Sequence, residues 1–156
     1  MIREYEKPYA VFEYFASLLS SLQQHAEFPL RSVAPDGHSW LLVASASHGQ
    51  LSGCQFAYSF ARGGRFRVEL YIDTGSQERN KQIFDALVEQ RSTIESALDV
   101  QLAWERLDNR RASRIVWYHD GTITDSANKL ARLRDWAGDA MVKFYAVFDE
   151  HLSKMA

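Results

Sequence analysis

Apolar and polar side chains alternate most regularly in residues 65–73. The apolar residues of this segment all fall on one side of an extended chain: Phe66, Val68, Leu70 and Ile72. A repeat of two residues predicts a β-strand with one buried face. The preceding segment, residues 54–61, alternates in the same way, and Gly63 and Gly64 separate the two. Two alternating segments around a glycine turn predict a β-hairpin.

Apolar residues at steps of three and four predict helices at both ends of the chain. The first covers about residues 8–25, since Pro8 suits the first helical turn, where its missing N–H is not needed. The last begins at a cap formed by Asp125 or Ser126 and runs to about Leu152. Each of these helices carries one apolar stripe, so both should pack on a core.

A third helix is predicted directly after the hairpin. Asp73, Thr74 and Ser76 are available to cap it, and Thr74 with Gln77 has the spacing of a capping box. Its buried face is predicted to comprise Ile83, Phe84, Leu87, Ile94 and Leu98. Asp99 is a plausible stop, because a short polar side chain tolerates the left-handed backbone that ends many helices.

Three further apolar segments predict the remaining strands, at residues 40–44, 100–104 and 114–119. A polar turn at residues 108–111 joins the last two strands. The element order is therefore αβββαββα, with short connections between successive strands. This order predicts an α+β fold with an antiparallel sheet of about five strands covered by helices.

The composition fits a single domain over residues 1–156, because a chain of this length with 46% hydrophobic residues can bury one large core. A net charge of -2 excludes a basic surface over the whole chain, so any contact with nucleic acid must be local. Cys54 is the only cysteine, which excludes an internal disulfide and indicates a reducing compartment. Because there is no long apolar run and no apolar leader, we expect a cytoplasmic protein without membrane contact.

A polar stripe lies on the other side of the second hairpin strand: Arg67, Glu69, Tyr71 and Asp73. Glu69 and Asp73 are separated by roughly 13 Å at about 3.3 Å per residue, too far for both to bind one metal ion. Tyr71 occupies the place where a PD-(D/E)XK nuclease would carry lysine after the acid. We interpret the stripe as a solvated face on which Arg67 and Glu69 pair across the hairpin or with the next helix.

Arginine supplies 13 of the 18 basic residues and gathers at two predicted turns. The first group is Arg62, Arg65 and Arg67, and the second is Arg106, Arg110, Arg111 and Arg114. Guanidinium groups suit phosphate, and three aromatic residues lie near the second group in sequence: Trp104, Trp117 and Tyr118. Acidic residues are interleaved with both groups, so surface salt bridges are the favoured interpretation. Arg114 is expected to pair with Glu105 across its hairpin.

Five sequence blocks, in this order and spacing, resemble a known family. They are residues 67–73 (RVELYID), 80–87 (NKQIFDAL), 94–95 (IE), 104–107 (WERL) and 112–115 (ASRI). The chain resembles domain of unknown function 4268, a bacterial domain that often follows a part resembling a PD-(D/E)XK nuclease. We expect this chain to lack that nuclease-like part. The resemblance implies a nucleic-acid or defence context and provides no catalytic residue.

These observations favour a non-catalytic interaction module. It would be an accessory of a bacterial nucleic-acid-processing or defence system and would contact phosphate or an acidic partner through an arginine-rich edge. One alternative is a phosphate-directed hydrolase or nuclease-like enzyme that uses Glu69 and Asp73. Another is a homodimer built on surplus aromatic residues. We expect no cofactor and no metal ion, because the histidines are dispersed and the cysteine is single.

Overall fold

The computed structural model describes residues 6–25, 27–30, 35, 38–47, 49–51 and 53–155. In these residues the chain forms an α+β fold, which confirms the predicted class. The elements, besides a short 3₁₀ turn at Gly49–Leu51, are α1 (Lys7–Leu22), β1 (Trp40–Ser45), β2 (Cys54–Ala61), β3 (Arg65–Ile72), α2 (Gln77–Val88), α3 (Arg91–Leu98), β4 (Ala103–Glu105), β5 (Ser113–Asp120) and α4 (Ala127–Ser153).

The helix predicted after the hairpin is divided into α2 and α3. The N–H of Gln90 donates to the carbonyl of Leu87 at 2.9 Å, so the chain tightens at the end of α2 before α3 begins. Asp99 ends α3 in the left-handed conformation, with φ 53°, as the sequence predicts. The expected capping box is wrong: the N-cap is Ser76, whose side chain accepts a hydrogen bond from the N–H of Arg79.

All five strands form one antiparallel sheet in the order β1-β2-β3-β5-β4. The predicted hairpin is confirmed, because β2 pairs with β3 along its whole length, from Cys54 opposite Ile72 to Ala61 opposite Arg65. β5 inserts between β3 and β4. β3 is therefore the central strand, with two strands on each side.

The four helices pack on one face of this sheet. Tyr58 of β2 donates a hydrogen bond to the carbonyl of Ala137 in α4 at 2.8 Å. Trp104 of β4 packs against Phe84 of α2, and Trp117 of β5 packs against Trp136 of α4. The apolar residues of β3 predicted to be buried lie on the same face and are fully buried: Phe66, Val68, Leu70 and Ile72. No helix in the described part of the chain covers the opposite face.

The last helix, α4, is the longest, with 27 residues. Its buried side forms the centre of the helical layer and comprises Leu133, Ala137, Gly138, Ala140, Met141, Phe144, Phe148 and Leu152. Charged residues alternate with this stripe. Of the helices that the structure describes, none is both long enough and apolar enough to cross a membrane.

Candidate functional site

The face of the sheet opposite the helices carries a group of polar and aromatic side chains. We call this group the sheet-face cluster: Trp40, Arg65, Arg67, Glu69, Tyr71, Glu105, Arg114 and Tyr118. The strand register brings them together, since Arg67 lies opposite Tyr118, Tyr71 opposite Arg114, and Glu105 opposite Arg114. Alternation places all of them on the side away from the buried residues of β3.

Trp40 reaches the centre of the cluster from the edge strand β1. Its indole Nε1 donates to Oε1 of Glu69 at 2.8 Å, and its ring meets that of Tyr71 edge-on at 6.3 Å. Strand β2 lies between Trp40 and Glu69, and the β2 residue opposite Glu69 is Ala57. Because Ala57 has only a methyl group, the indole can cross β2 above it, and Ala57 is fully buried.

Glu69 is the most deeply buried charged residue of the cluster, with 2% of its surface exposed. Ala57 and Val116, its neighbours on the adjacent strands, are both fully buried and apolar. Its Oε2 atom has no hydrogen-bond partner among the described residues. Burial raises the pKa of Glu69 above its ordinary value, against the lowering effects of the Trp40 hydrogen bond and the charge of Arg67. The interpretation of this position as solvated is therefore wrong.

We expect Glu69→Gln to fold and to have a higher unfolding temperature than the parent at neutral pH. The amide keeps an acceptor for Trp40 and removes a buried charge with an unpartnered oxygen, a feature that costs about 1–3 kcal/mol. Because the pKa of folded Glu69 lies above 4.5, the parent's free energy of unfolding falls as the pH rises through the interval above that value. The advantage of the variant should therefore be absent in acid, appear above pH 4.5 and be complete once Glu69 is ionised in the folded parent.

Thermal unfolding followed by circular dichroism between acid and neutral pH checks this expectation. Glu105→Gln is the matched control. Burial raises the pKa of Glu105, but hydrogen bonds from Arg114 and Tyr118 outweigh burial and leave that pKa below its ordinary value. This variant should therefore lose stability at neutral pH and not in acid. Lower stability of Glu69→Gln at neutral pH would show that the Arg67 and Arg114 charges outweigh the burial of the carboxylate.

A second carboxylate organises the other side of the cluster. Glu105 accepts hydrogen bonds from Nε of Arg114 at 2.6 Å and from the hydroxyl of Tyr118 at 2.8 Å. The predicted pairing of Arg114 with Glu105 is thus confirmed. The guanidinium of Arg65 lies over the Tyr118 ring, 3.9 Å from its centroid. Tyr118 is therefore held at its hydroxyl and covered on one face by an arginine.

The charge of Arg67 acts on both carboxylates of the cluster, since it lowers the pKa of Glu69 and that of Glu105. Arg67 is half-buried, and its Nε has no hydrogen-bond partner among the residues that the structure describes. Its guanidinium is 5.8 Å from the centroid of the Tyr118 ring. No ion pair within 4 Å joins Arg65 or Arg67 to a described carboxylate. These two arginines can therefore meet a partner without breaking a direct ion pair to a described carboxylate.

The arginines of the second turn have a different environment. Arg106 forms ion pairs with Asp85 and Asp108. Arg111 makes two hydrogen bonds to Asp73, from Nε at 2.9 Å and from a terminal nitrogen at 2.7 Å. The hydrogen bond from Arg111 is the main reason why the pKa of Asp73 lies below its ordinary value. These contacts match the salt-bridge interpretation of the second group.

Two buried residues of α2 anchor the same turn from below. The ammonium group of Lys81 donates to the carbonyls of Arg106, Leu107 and Ala112, at 2.6, 3.0 and 2.9 Å, and lies 2.8 Å from the hydroxyl of Ser113. The side chain of Asn80 is fully buried and donates to the carbonyl of Arg111. Leu107 has φ 56°, a left-handed backbone that a leucine adopts only when its surroundings impose it. The turn is therefore a fixed part of the fold.

The remaining predicted site residues do not join the cluster. Arg62 and Arg110 are exposed at the two turns. Asp73 lies beyond the end of β3, where it accepts from Arg111, Asn80 and the N–H of Gly75. These bonds hold Asp73 at the start of α2, so of the two carboxylates named in the hydrolase hypothesis only Glu69 lies in the cluster. That hypothesis stays a prediction.

Sequence reasoning missed Trp40, because nothing in its local pattern links it to a strand 29 residues away. Of the three aromatic residues noted near the second arginine group, only Tyr118 lies on the uncovered face. Trp104 and Trp117 face the helices. Tyr9 and Phe12 of α1, 76% and 43% exposed, are the surplus aromatic residues on which the homodimer hypothesis depends, and it also stays a prediction.

Other reactive groups give no site in the described part of the chain. No group of three or more histidine, cysteine, aspartate and glutamate side chains is placed to hold a metal ion there. Cys54 is fully buried, and burial raises the pKa of its thiol to about 12, so the reactive thiolate is suppressed. A cleft of about 440 Å³ lies between the end of β5 and the start of α4, where Lys129 and Arg132 are accompanied by Asp120 and Asp125.

Comparison with known proteins identifies a family for nearly the whole chain. The family model described as domain of unknown function (DUF4268) matches residues 12–152. This range includes all members of the sheet-face cluster. No curated protein and no solved structure matches the chain.

Proposed function

Because this chain belongs to the domain of unknown function 4268 family, we propose its function from its own residues: it is a non-catalytic module that binds the phosphate backbone of nucleic acid. Contact is made by the arginines of the sheet-face cluster. In the cell, the module would serve as a cytoplasmic accessory of a bacterial nucleic-acid-processing or defence system. The proposal concerns binding alone and assigns no reaction to the protein.

The observation that supports this proposal is the difference between the two groups of arginines. Arg106, Arg111 and Arg114 already bind carboxylates of the same chain, whereas neither Arg65 nor Arg67 forms an ion pair with a carboxylate of the described residues. An arginine without an internal carboxylate can neutralise a phosphate without first breaking an ion pair. The proposed contact therefore lies on the face of the sheet and not at the second turn.

The aromatic rings of the cluster favour single strands over duplexes. Trp40 is 38% exposed, and Tyr71 and Tyr118 are half-buried on the same face. Single-stranded nucleic acid is bound by a basic surface along its backbone and by rings on which unpaired bases stack, each worth about 1–3 kcal/mol. A sheet face with both kinds of group has the chemistry for this mode of binding.

We expect Arg65→Gln/Arg67→Gln to weaken binding of labelled single-stranded DNA and RNA, measured by fluorescence anisotropy at several salt concentrations. Each lost arginine contact should lower the slope of log affinity against log salt by about 0.7 for a single strand. Arg110→Gln/Arg111→Gln compares the second turn directly and should leave the slope unchanged. Lys143→Gln/Lys154→Gln removes two charges from exposed positions, on α4 and at its C-cap, and controls for net charge.

Binding that depends on Arg110 and Arg111, and not on Arg65 and Arg67, would show that the site lies at the second turn. The absence of binding at low salt for every strand would remove the proposal. The oligonucleotides should also stay intact in magnesium or manganese. Cleavage that is lost in Glu69→Gln would favour the phosphate-directed hydrolase instead.

A further inference from the structure

Contact with phosphate leaves two buried polar atoms of the sheet-face cluster unexplained. Oε2 of Glu69 and Nε of Arg67 both lack hydrogen-bond partners in the described residues. Nearly all buried polar atoms in folded proteins are hydrogen-bonded, so two such atoms on alternate residues of one strand face need a cause. A ligand that forms hydrogen bonds with both atoms would provide the missing partners.

The chemistry of the two atoms restricts that group. A phosphate carries only acceptors and negative charge at neutral pH, so the carboxylate of Glu69 would repel it. The group that meets Oε2 must instead donate a hydrogen bond, and the group that meets Arg67 must accept one. The aromatic rings of Trp40 and Tyr71 beside this position favour a flat ligand.

We propose that Glu69 and Arg67 together recognise the edge of an unpaired nucleobase that carries an exocyclic amine beside a ring nitrogen, as cytosine and adenine do. The amine donates to Oε2 of Glu69, and the ring nitrogen accepts from Nε of Arg67, which leaves the terminal nitrogens of that guanidinium for phosphate. Thymine and uracil present a carbonyl oxygen where cytosine presents its amine, so they place an acceptor against the carboxylate. This inference rests on the proposed function and adds a preference for base type to it.

A base can reach Oε2 of Glu69 if the Arg67 side chain moves, without any change in the backbone. Arg67 is half-buried on a long flexible stem, whereas Ala57 and Val116 beside Glu69 belong to paired strands. A base can therefore enter as the Arg67 guanidinium swings outwards to follow it. Trp40 holds Oε1 throughout, which keeps the carboxylate oriented with Oε2 towards the ligand.

The test compares two pyrimidine homopolymers of equal length, dC12 and dT12, by fluorescence anisotropy at constant salt and neutral pH. The parent should bind dC12 at least about fivefold more tightly than dT12, the lower end of the discrimination from one well-formed base contact. Glu69→Gln should bind both strands with equal affinity, and its salt dependence should match that of the parent. Glu89→Gln removes an exposed carboxylate at the end of α2, outside the sheet-face cluster, and is the matched control that should keep the preference.

A nuclear magnetic resonance experiment gives a second readout that is independent of affinity. The indole N–H of Trp40 bonds to Glu69, so its resonance should shift when dC12 binds and much less when dT12 binds. The indole N–H of Trp104 bonds to Glu95 at 3.0 Å and serves as the internal control. The indole N–H signal that is missing from the spectrum of Trp40→Phe identifies the Trp40 resonance.

The outcomes separate this inference from the proposed function. Equal affinity of the parent for both strands, or a preference that survives in Glu69→Gln, would overturn the inference and leave phosphate binding intact. A preference for dT12 would also overturn it, because thymine presents an acceptor where the inference requires a donor. Failure of both strands to bind at low salt would overturn the proposed function and this inference together.

Discussion

Leu70→Asp is expected to prevent folding. Leu70 is fully buried on the helical face of the central strand, opposite Phe56 on one neighbour and Ile115 on the other. An aspartate at this position would place a charge without a partner in the apolar core, at an expected cost above about 5 kcal/mol. Since domains of this kind are stable by about 5–15 kcal/mol, little or no stability would remain. Soluble yield, circular dichroism and proton chemical-shift dispersion would measure the loss.

Glu69→Gln is the control for this experiment, because it changes the adjacent residue on the opposite face. It should give soluble protein that unfolds cooperatively. If Leu70→Asp also gave such protein, the register of β3 in the sheet, and with it the position of the whole sheet-face cluster, would be wrong.

Lys81→Met is expected to lower the free energy of unfolding by about 2–4 kcal/mol, because it removes a charged donor that bonds to three carbonyls of the turn and leaves the carbonyl of Ala112 without its donor. Methionine preserves the length and apolar part of the side chain, so the change tests the ammonium group itself. Lys81 is 8% exposed, and its burial lowers the pKa of the ammonium group below its ordinary value. The loss should be local first, with faster amide hydrogen exchange at Arg110, whose N–H bonds to the carbonyl of Leu107.

Urea unfolding followed by fluorescence would measure the global effect. Lys143→Met removes an exposed lysine from α4 and should change stability by less than about 0.5 kcal/mol. Equal stability of Lys81→Met and the parent would mean that water replaces the ammonium group at no cost, and the turn would then be fixed by Arg106 and Arg111 instead.

The sequence predicted the strands and helices well where one periodic pattern was sufficient. Alternation in β2 and β3 identified their bounds and the face that meets the helices, and Asp99 was found as the end of α3. The division between α2 and α3 was not predicted, because the apolar stripe continues in phase across it. Ser76 was preferred over Thr74 as the cap because Thr74 bonds instead to the side chain of Asn80.

The site was harder to predict than the fold. Alternation placed Glu69 on the polar side of β3, and polar residues on such a side are usually solvated. Its burial depends on Trp40 from β1 and on the small side chain of Ala57 in β2, which no local pattern connects. A weak signal did exist for Asn80, which continues the buried stripe of Ile83, Phe84 and Leu87 by one helical turn and is polar. A polar residue in such a stripe indicates a buried hydrogen-bond network.

The position of β5 between β3 and β4 determines when the sheet-face cluster is completed during synthesis of the chain. The strands β1, β2 and β3 follow one another in sequence and can pair as soon as they are made, which brings Trp40 to Glu69. Tyr118 and Arg114 join them only when β5, made after α2, α3 and β4, has paired with β3. Closing that longer loop is the slower step. A nascent chain can therefore bring Trp40 to Glu69 before Tyr118, Arg114 and Glu105 complete the sheet-face cluster.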